Sequence, residues 1–293
     1  MLDRESEYLD ACPLCYSGFI NLADERASVW KCSNCRHFFD NPRPVPEAVD
    51  RFYSRPVQYD EWLYDRVERD KLWKKRLQKV LRHARPGSLL DVGAGIGQFL
   101  HLARDRFTEI AGTEVSAQAV AIAADKFSLN LNAGRVETLD FGQRTYDNIT
   151  IFHVLEHVHE PLVLLRRCRE LLSPGGILFI AVPNEIYSLP LLWRRVLIRM
   201  GFKKNRRIGV LGIPRITVDG SLAELHLSHF TPLSLKNALL SSGFTLVESG
   251  LDQYYVTTGF KKMKSYLNYK LCLLFNGLFG INIYQTIWVV AKK

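Results

Sequence analysis

The sequence predicts an α/β protein in which a doubly wound, mostly parallel sheet follows a small cysteine-bearing module. Three observations carry that prediction. Apolar, strand-like runs alternate with helical patterns through the middle of the chain. A glycine-rich turn, DVGAGIG, closes the first of these runs, with an acidic residue about 20 positions later. Two Cys-x-x-Cys pairs stand near the start.

The pairs come first. CPLC and CSNC place Cys12 with Cys15 and Cys32 with Cys35 on two short knuckles, each able to present both sulfurs to one side of a turn. Four thiolates complete a tetrahedral site and leave no position for a catalytic water, so the expected metal is a structural zinc held in a ribbon over residues 8–42. The other two cysteines, Cys168 and Cys272, stand alone and read as small buried apolar residues.

Residues 43–85 read as a linker and an N-terminal helix. NPRPVPE is punctuated by proline and cannot be helical throughout, and a helix is expected over about 61 to 84. Its Leu72, Leu77, Val80 and Leu81 recur at helical spacing with the basic residues elsewhere.

From residue 86 to 293 the pattern is that of the main domain. SLLDV, EIAGTEV, NITIFHV and GILFIAV read as strands, with helices at Phe99 to Arg104, Ala117 to Lys126 and Leu162 to Leu172 between them. Another helix, TPLSLKNALLSSGF, a strand around Thr245 to Val247, an apolar stretch and the final strand IYQTIWVVAKK follow, the last returning to the edge of the sheet. Glycine lets the chain turn sharply after SLLDV and approach a ligand closely, and the amides opening the next helix suit a polar or negative group. The nicotinamide fingerprint needs glycine or alanine three positions after its second glycine; that position holds Gln98, which disfavours a dehydrogenase. Glu114 is placed to accept hydrogen bonds from two ribose hydroxyls of an adenosine cofactor.

From Ser88 to Val182 the chain resembles class I S-adenosylmethionine-dependent methyltransferases. DVGAGIG is similar to that family's first motif, GTEVS to its second, YDNITIFHVLEHVHEP to its fourth and LLSPGGILFIAVPN to its fifth-strand region; HVLEHV and the later HLSHFTPLSLKNALLSSGF resemble the branch of ubiquinone-type and sugar or glycan methyltransferases. The resemblance implies a Rossmann-like, seven-stranded sheet with an antiparallel edge strand, and S-adenosyl-L-methionine as cofactor. It implies that Asp91 helps hold the methionine amino group, that Gly93, Gly95 and Gly97 border methionine and ribose, that Glu114 binds the ribose and that Val115 flanks adenine. Where the family often has an acid after glycine, this chain has Arg135, which leaves adenine contacts to the backbone near Val136 or to Glu137.

A methyl sulfonium is already activated, so such an enzyme mainly aligns the acceptor and removes a proton where the acceptor is a hydroxyl or acidic carbon. His153, Glu156, His157 and His159 cluster after a strand end, where one or two serve as base or orient substrate. Alternatively, His153 lines the cofactor pocket and His157 caps the loop. The resemblance places His229 beside the acceptor and also allows a divalent metal at Glu156 and His157. The expected catalytic set is therefore His157, His229 and Glu156, acting on a small-molecule, sugar or lipid-linked acceptor.

The formal charge of +9 gathers at Lys71 to Arg85, Arg194 to Arg207 and Lys261 to Lys270, a pattern suited to anionic partners. An RNA substrate is disfavoured because HVLEH lacks the Asn/Asp-Pro-Pro-aromatic signature of base-amino methylation, and the complete glycine turn argues against a non-catalytic adaptor. With no signal peptide or long apolar span, the protein is expected in the cytoplasm. An insertion at about 185–222, rich in Trp193, Phe202, Arg194, Arg199, Lys203, Lys204, Arg206 and Arg207, is expected to fold over the acceptor pocket as a lid and to touch anionic membrane.

Overall fold

The structure, a computed structural model, describes residues 5–55, 59, 63–64, 66–202, 208–253 and 259–293. The basic end of the insertion, Lys203, Lys204, Arg206 and Arg207, lies outside the described residues.

A seven-stranded sheet dominates. Its strands are β6 (Ser88–Val92), β7 (Glu109–Glu114), β8 (Asn132–Ala133), β9 (Tyr146–Phe152), β10 (Leu172–Pro183), β12 (Thr245–Gly250) and β13 (Thr286–Lys292), in the spatial order β12-β13-β10-β9-β6-β7-β8. Strands β10, β9, β6, β7 and β8 run parallel, while β13 is antiparallel to both β10 and β12. The reversed strand thus enters one place in from the edge, and β12 forms the edge itself. β6 and much of β9 and β10 are buried, as parallel strands covered on both faces must be.

The helices α1 (Pro46–Tyr53), α2 (Arg66–Leu81), α3 (Gln98–Ala103), α4 (Ala117–Phe127), α5 (Pro161–Leu171), α6 (Leu189–Arg199), α7 (Pro232–Ser241) and α8 (Gly259–Phe279) cover or flank the sheet. Helix α7 starts with a capping box, in which Thr231 and Ser234 satisfy each other's backbone amides. Helix α8 occupies what the sequence shows only as an apolar stretch after a basic cluster.

The cysteine module does not stand apart. Its strands β2 (Ile20–Asp24), β3 (Val29–Cys32) and β4 (Phe38–Asp40) form an antiparallel sheet completed by β11 (Ser228–His229), a strand drawn from nearly two hundred residues downstream. A second ladder joins β1 (Ser6–Glu7) to β5 (Arg43–Pro44). Cys12, Leu14, Cys32, Cys35 and Phe39 belong to one continuous core with Leu90, Ile149 and Leu178 of the large sheet.

Part of the insertion packs on this module, and its end, Ile216, Val218 and Leu222, packs on Val49 and Phe52 of α1. Ile186 and Ile213 bury against Ala27, Val29 and Phe38. The Leu211 amide donates to Asp24 Oδ2 at 2.7 Å, and Arg195 Nε donates to the Leu211 carbonyl at 2.8 Å.

Candidate active site

In open α/β sheets, ligands bind outside the carboxyl ends of the strands where the strand order reverses, which is here between β6 and β9. A cavity of about 400 Å³ opens there. Asp91, Gly93 and Gly95 line it from the end of β6, Glu114 and Val115 from the end of β7, Val136 and Glu137 from the following loop, and His153 and His157 from the loop after β9. The other expected residues, Gly97, Glu156 and His229, stand off the lining.

The glycines explain the turn. Gly93, Gly95 and Gly97 have φ of +68°, +55° and +81°, a region that side-chain-bearing residues rarely adopt. A Cβ on Gly93 would lie 2.3 Å from Val154 Cγ2, and one on Gly97 would lie 2.7 Å from Leu129 Cδ1. Gly97 therefore serves the packing of α3 and its neighbours rather than bordering a ligand.

Glu114 is fixed by the same turn. The Gly95 amide donates to its Oε2 at 2.8 Å and the Ser116 amide to its Oε1 at 2.9 Å. Burial raises its pKa against these bonds. Asp91 accepts a 2.6 Å hydrogen bond from Thr150 Oγ1, and burial pushes its carboxyl up to about 7. A carboxylate so desolvated is stabilised by any cation that reaches it.

The far side of the cavity comes from helices that sequence reasoning did not assign to it. Val49, Asp50 and Tyr53 of α1, with Tyr59, and Arg69, Leu72 and Trp73 of α2 line it. Arg135 reaches from the loop after β8 to Asp50 Oδ1 at 2.5 Å, tying α1 across the opening.

Beside Tyr53 lies a cluster of acids and histidines. His157 Nδ1 stands 2.8 Å from the Tyr53 hydroxyl and 2.7 Å from the Leu225 carbonyl, which can only accept. Nδ1 thus carries a proton and Nε2 holds the lone pair when the ring is neutral. Nε2 lies 3.8 Å from Glu156 Oε1. Glu156 is 1% exposed and, among the described residues, its carboxylate has no close hydrogen-bond partner, His153 Nδ1 approaching to 3.4 Å. Its burial works to raise its pKa, but His153, His157 and His226 outweigh it and hold the carboxyl below its ordinary range. Burial lowers the His157 pKa, with Glu156 opposing. Glu156, His157 and His226 bring ligand atoms within 4.8 Å of one another, a donor set able to take a cation.

His153 has φ of +58°, a strained conformation held by its amide bond to the Ala181 carbonyl at 2.8 Å. Its Nε2 meets Arg76 Nη2 at 3.1 Å. Arg76, 1% exposed, pairs with Asp252 and lies over the rings of Trp73 and Phe152.

His229 sits elsewhere. It is buried between Asp40 Oδ2, 3.0 Å from Nε2, and Glu185 Oε2, 2.6 Å from Nδ1, so it joins β11 to the cysteine module instead of facing an acceptor. Glu185 also meets His226 Nδ1 at 2.8 Å.

The four cysteine sulfurs lie within 4.8 Å of one another, with Cys12 to Cys35 and Cys15 to Cys32 both at 3.6 Å. A tetrahedron with Zn–S bonds of about 2.3 Å has edges of about 3.8 Å, so the spacing suits a zinc ion. Both knuckles repeat one turn: the Tyr16 amide bonds the Cys12 carbonyl, the Arg36 amide bonds the Cys32 carbonyl, and Tyr16 and Arg36 both have positive φ.

Residues 64–249 match the model of a methyltransferase domain family. The chain belongs to that family. Its fold is the Rossmann-like methyltransferase fold, and S-adenosylmethionine is the cofactor that the β6 turn and Glu114 suit. Among curated proteins, the chain is similar to the ubiquinone biosynthesis O-methyltransferases of Nitrosospira multiformis (32% identity over 118 residues, 38% of this chain and 49% of that protein) and Xanthomonas campestris pv. campestris (31% over 111 residues, 36% and 46%). The chain thus spans about half the length of the curated relatives it matches. Solved structures of similar fold include an S-adenosylmethionine-dependent methyltransferase from Mesorhizobium loti (20% identity, TM-score 0.52, 75% of this chain and 96% of that one). Another is magnesium protoporphyrin IX methyltransferase from Synechocystis with bound SAH (14% identity, TM-score 0.53, 85% and 100%).

Proposed function

We propose that this protein methylates a hydroxyl of a small-molecule or lipid-linked acceptor, with His157 as general base and Glu156 as the group that steadies its charge. The observation that carries this reading is the meeting, in one cavity, of the Gly95–Glu114 cradle and the Tyr53–His157 pair, with Glu156 beside His157 off the lining. The similarity to ubiquinone biosynthesis O-methyltransferases supports a small-molecule acceptor.

When bound, S-adenosylmethionine supplies an electrophilic methyl group. Glu114 would hold the ribose hydroxyls, Asp91 the amino group, Val115 the adenine face, and the backbone near Val136 or Glu137 the adenine edge. Trp73, Phe99 and Phe152 line part of the cavity and help exclude water. His157 Nε2 would take the proton of the acceptor's hydroxyl while that oxygen bonds the methyl group, whose bond to the sulfonium breaks to leave a neutral thioether. The Leu225 carbonyl and Tyr53 fix the ring, and Glu156 stabilises the imidazolium that results. The exposed Trp193, Met200 and Phe202 of the insertion, beside Arg199, support its contact with an anionic surface.

The test is transfer of labelled methyl from S-adenosylmethionine into cell extract, with identification of the labelled product. A hydroxyl-bearing small molecule labelled by the protein and not by His157→Gln supports the reading; label in RNA, or equal labelling by the variant, overturns it.

A further inference from the structure

Helix α8 (Gly259–Phe279) turns its largest apolar side chains to the outside. The positions it turns toward the rest of the protein recur at helical spacing and are mixed: Ser265, Asn268 and Asn276 are half-buried and polar, Tyr269 and Phe275 are half-buried and aromatic, and Cys272 is buried, with Tyr269 and Cys272 packed on Leu251 and Tyr284. Its outward positions are large and apolar: Phe260, Leu267, Leu271, Leu274 and Leu278 are 57–76% exposed. Surface helices of water-soluble proteins keep such an apolar stripe against the core, and an exposed apolar surface of this extent marks an interaction site.

The charge on the helix identifies the partner. It carries Lys261, Lys262, Lys264 and Lys270 and no acidic residue, and among the described residues only Lys262 pairs with an acid, its Nζ meeting Glu68 Oε2 at 2.9 Å. A second copy of this face would supply apolar surface but no negative charge to meet the lysines. An anionic lipid surface satisfies both features, taking the apolar side chains below its headgroups and the lysines among them. The helix is about 31 Å long at 1.5 Å per residue, yet no described helix is long and apolar enough to cross a membrane, so it would lie in the plane of the interface. The segment after its C-terminal end adjoins the start of α6, where the Leu189 amide donates to the Ile283 carbonyl at 2.7 Å.

We propose that α8 is an interfacial helix that docks this protein on bilayers containing anionic lipid. The proposal does not depend on the methyl-transfer reading: lipid partitioning and methyl transfer are measured separately.

Sedimentation of the full chain with vesicles of phosphatidylcholine alone, or mixed with phosphatidylglycerol, tests it. Binding is expected only to the mixed vesicles and should weaken as salt rises. The double variants Leu267→Glu/Leu271→Glu and Lys261→Gln/Lys264→Gln should each weaken it by about tenfold or more, with the melting temperature unchanged. Equal partitioning onto neutral vesicles overturns the proposal, as does full binding by the lysine variant. Failure to bind either vesicle, with a dimer that Leu267→Glu/Leu271→Glu dissociates, would assign the face to a second copy of the chain.

Discussion

The backbone amide of Gly95 donates to the carboxylate of Glu114 at 2.8 Å, so the turn after β6 and the acid ending β7 are one construction. The glycine turn is held in shape by the group that is to bind ribose, and Glu114 is aimed by the turn. Replacing Glu114 by alanine should therefore remove ligand contacts and loosen the loop together. Loss of charge-assisted hydrogen bonds of roughly 1.5 to 3 kcal/mol corresponds to about 10- to 150-fold weaker S-adenosylmethionine binding. Calorimetric titration of the folded variant checks this, and unchanged affinity would remove Glu114 from the ribose site.

The shared core makes a different prediction for the metal. Cys12, Cys32 and Cys35 pack in one cluster with Leu90 and Ile149, and β11 of the main domain completes the module's sheet. Cys32→Ser should lose the zinc, and chelation should lower the melting temperature of the whole protein in a single transition. Metal analysis with calorimetry decides it. A separate low-temperature transition, with the main transition unmoved, would show the module to be independent.

The Asp40–His229–Glu185 chain predicts an alkaline loss of stability. Burial opposes charge on His229, but the two carboxylates prevail and raise its pKa to about 9, above the ordinary value of 6.5. A histidine whose folded pKa is raised contributes stability that is fully present below about 6.5 and lost as pH rises through about 9. The contribution is on the order of 3 kcal/mol for a shift of this size. His226, also raised, adds in the same direction. The melting temperature should fall between pH 7 and 9, and His229→Gln should flatten that slope while destabilising the protein at pH 7. An unchanged slope in the variant would assign the alkaline loss to other groups.

Much of this architecture was legible because the relevant signals are local. SLLDV, NITIFHV and GILFIAV are apolar runs bounded by turn residues, and they appear as β6, β9 and β10 within a few residues of the expected limits. The glycine turn and Glu114 lie in adjacent strands, so spacing alone could relate them. Contacts made by chain return left weaker traces. β11 is two residues long and has no period to read, so His229 could not be assigned to the cysteine module. Arg76 did leave a signal: it falls four residues after Leu72 and four before Val80, on the buried stripe of α2. An arginine on such a stripe needs a partner, supplied by Asp252 from the far end of the chain. The insertion carries the composition of a lid; Asp24 and the apolar side of the small sheet hold one part of it, and Val49 and Phe52 of α1 hold its end. Tyr53 of α1 takes a place on the pocket wall.

The proposed base gives the last prediction, because its pKa and its neighbour's effect on that pKa have opposite signs. Burial lowers the pKa of His157, so at neutral pH the ring is already unprotonated and ready to accept a proton. The rate with a hydroxyl acceptor should therefore be flat through neutral pH and fall only on the acid side, as Nε2 becomes protonated. His157→Gln should lower kcat by about 10²- to 10⁴-fold with S-adenosylmethionine affinity retained. Glu156 pulls the other way, since its negative charge favours the imidazolium and raises the His157 pKa. Glu156→Gln keeps the volume but removes that charge. It should reduce kcat, because the protonated base is less stabilised, and at the same time move the acid limb of the pH–rate profile to lower pH. A Glu156 that merely supported the loop would reduce activity without moving the limb. A Glu156→Gln profile that falls at the same pH as the parent's would therefore remove the carboxylate from the reaction even if the enzyme were slower.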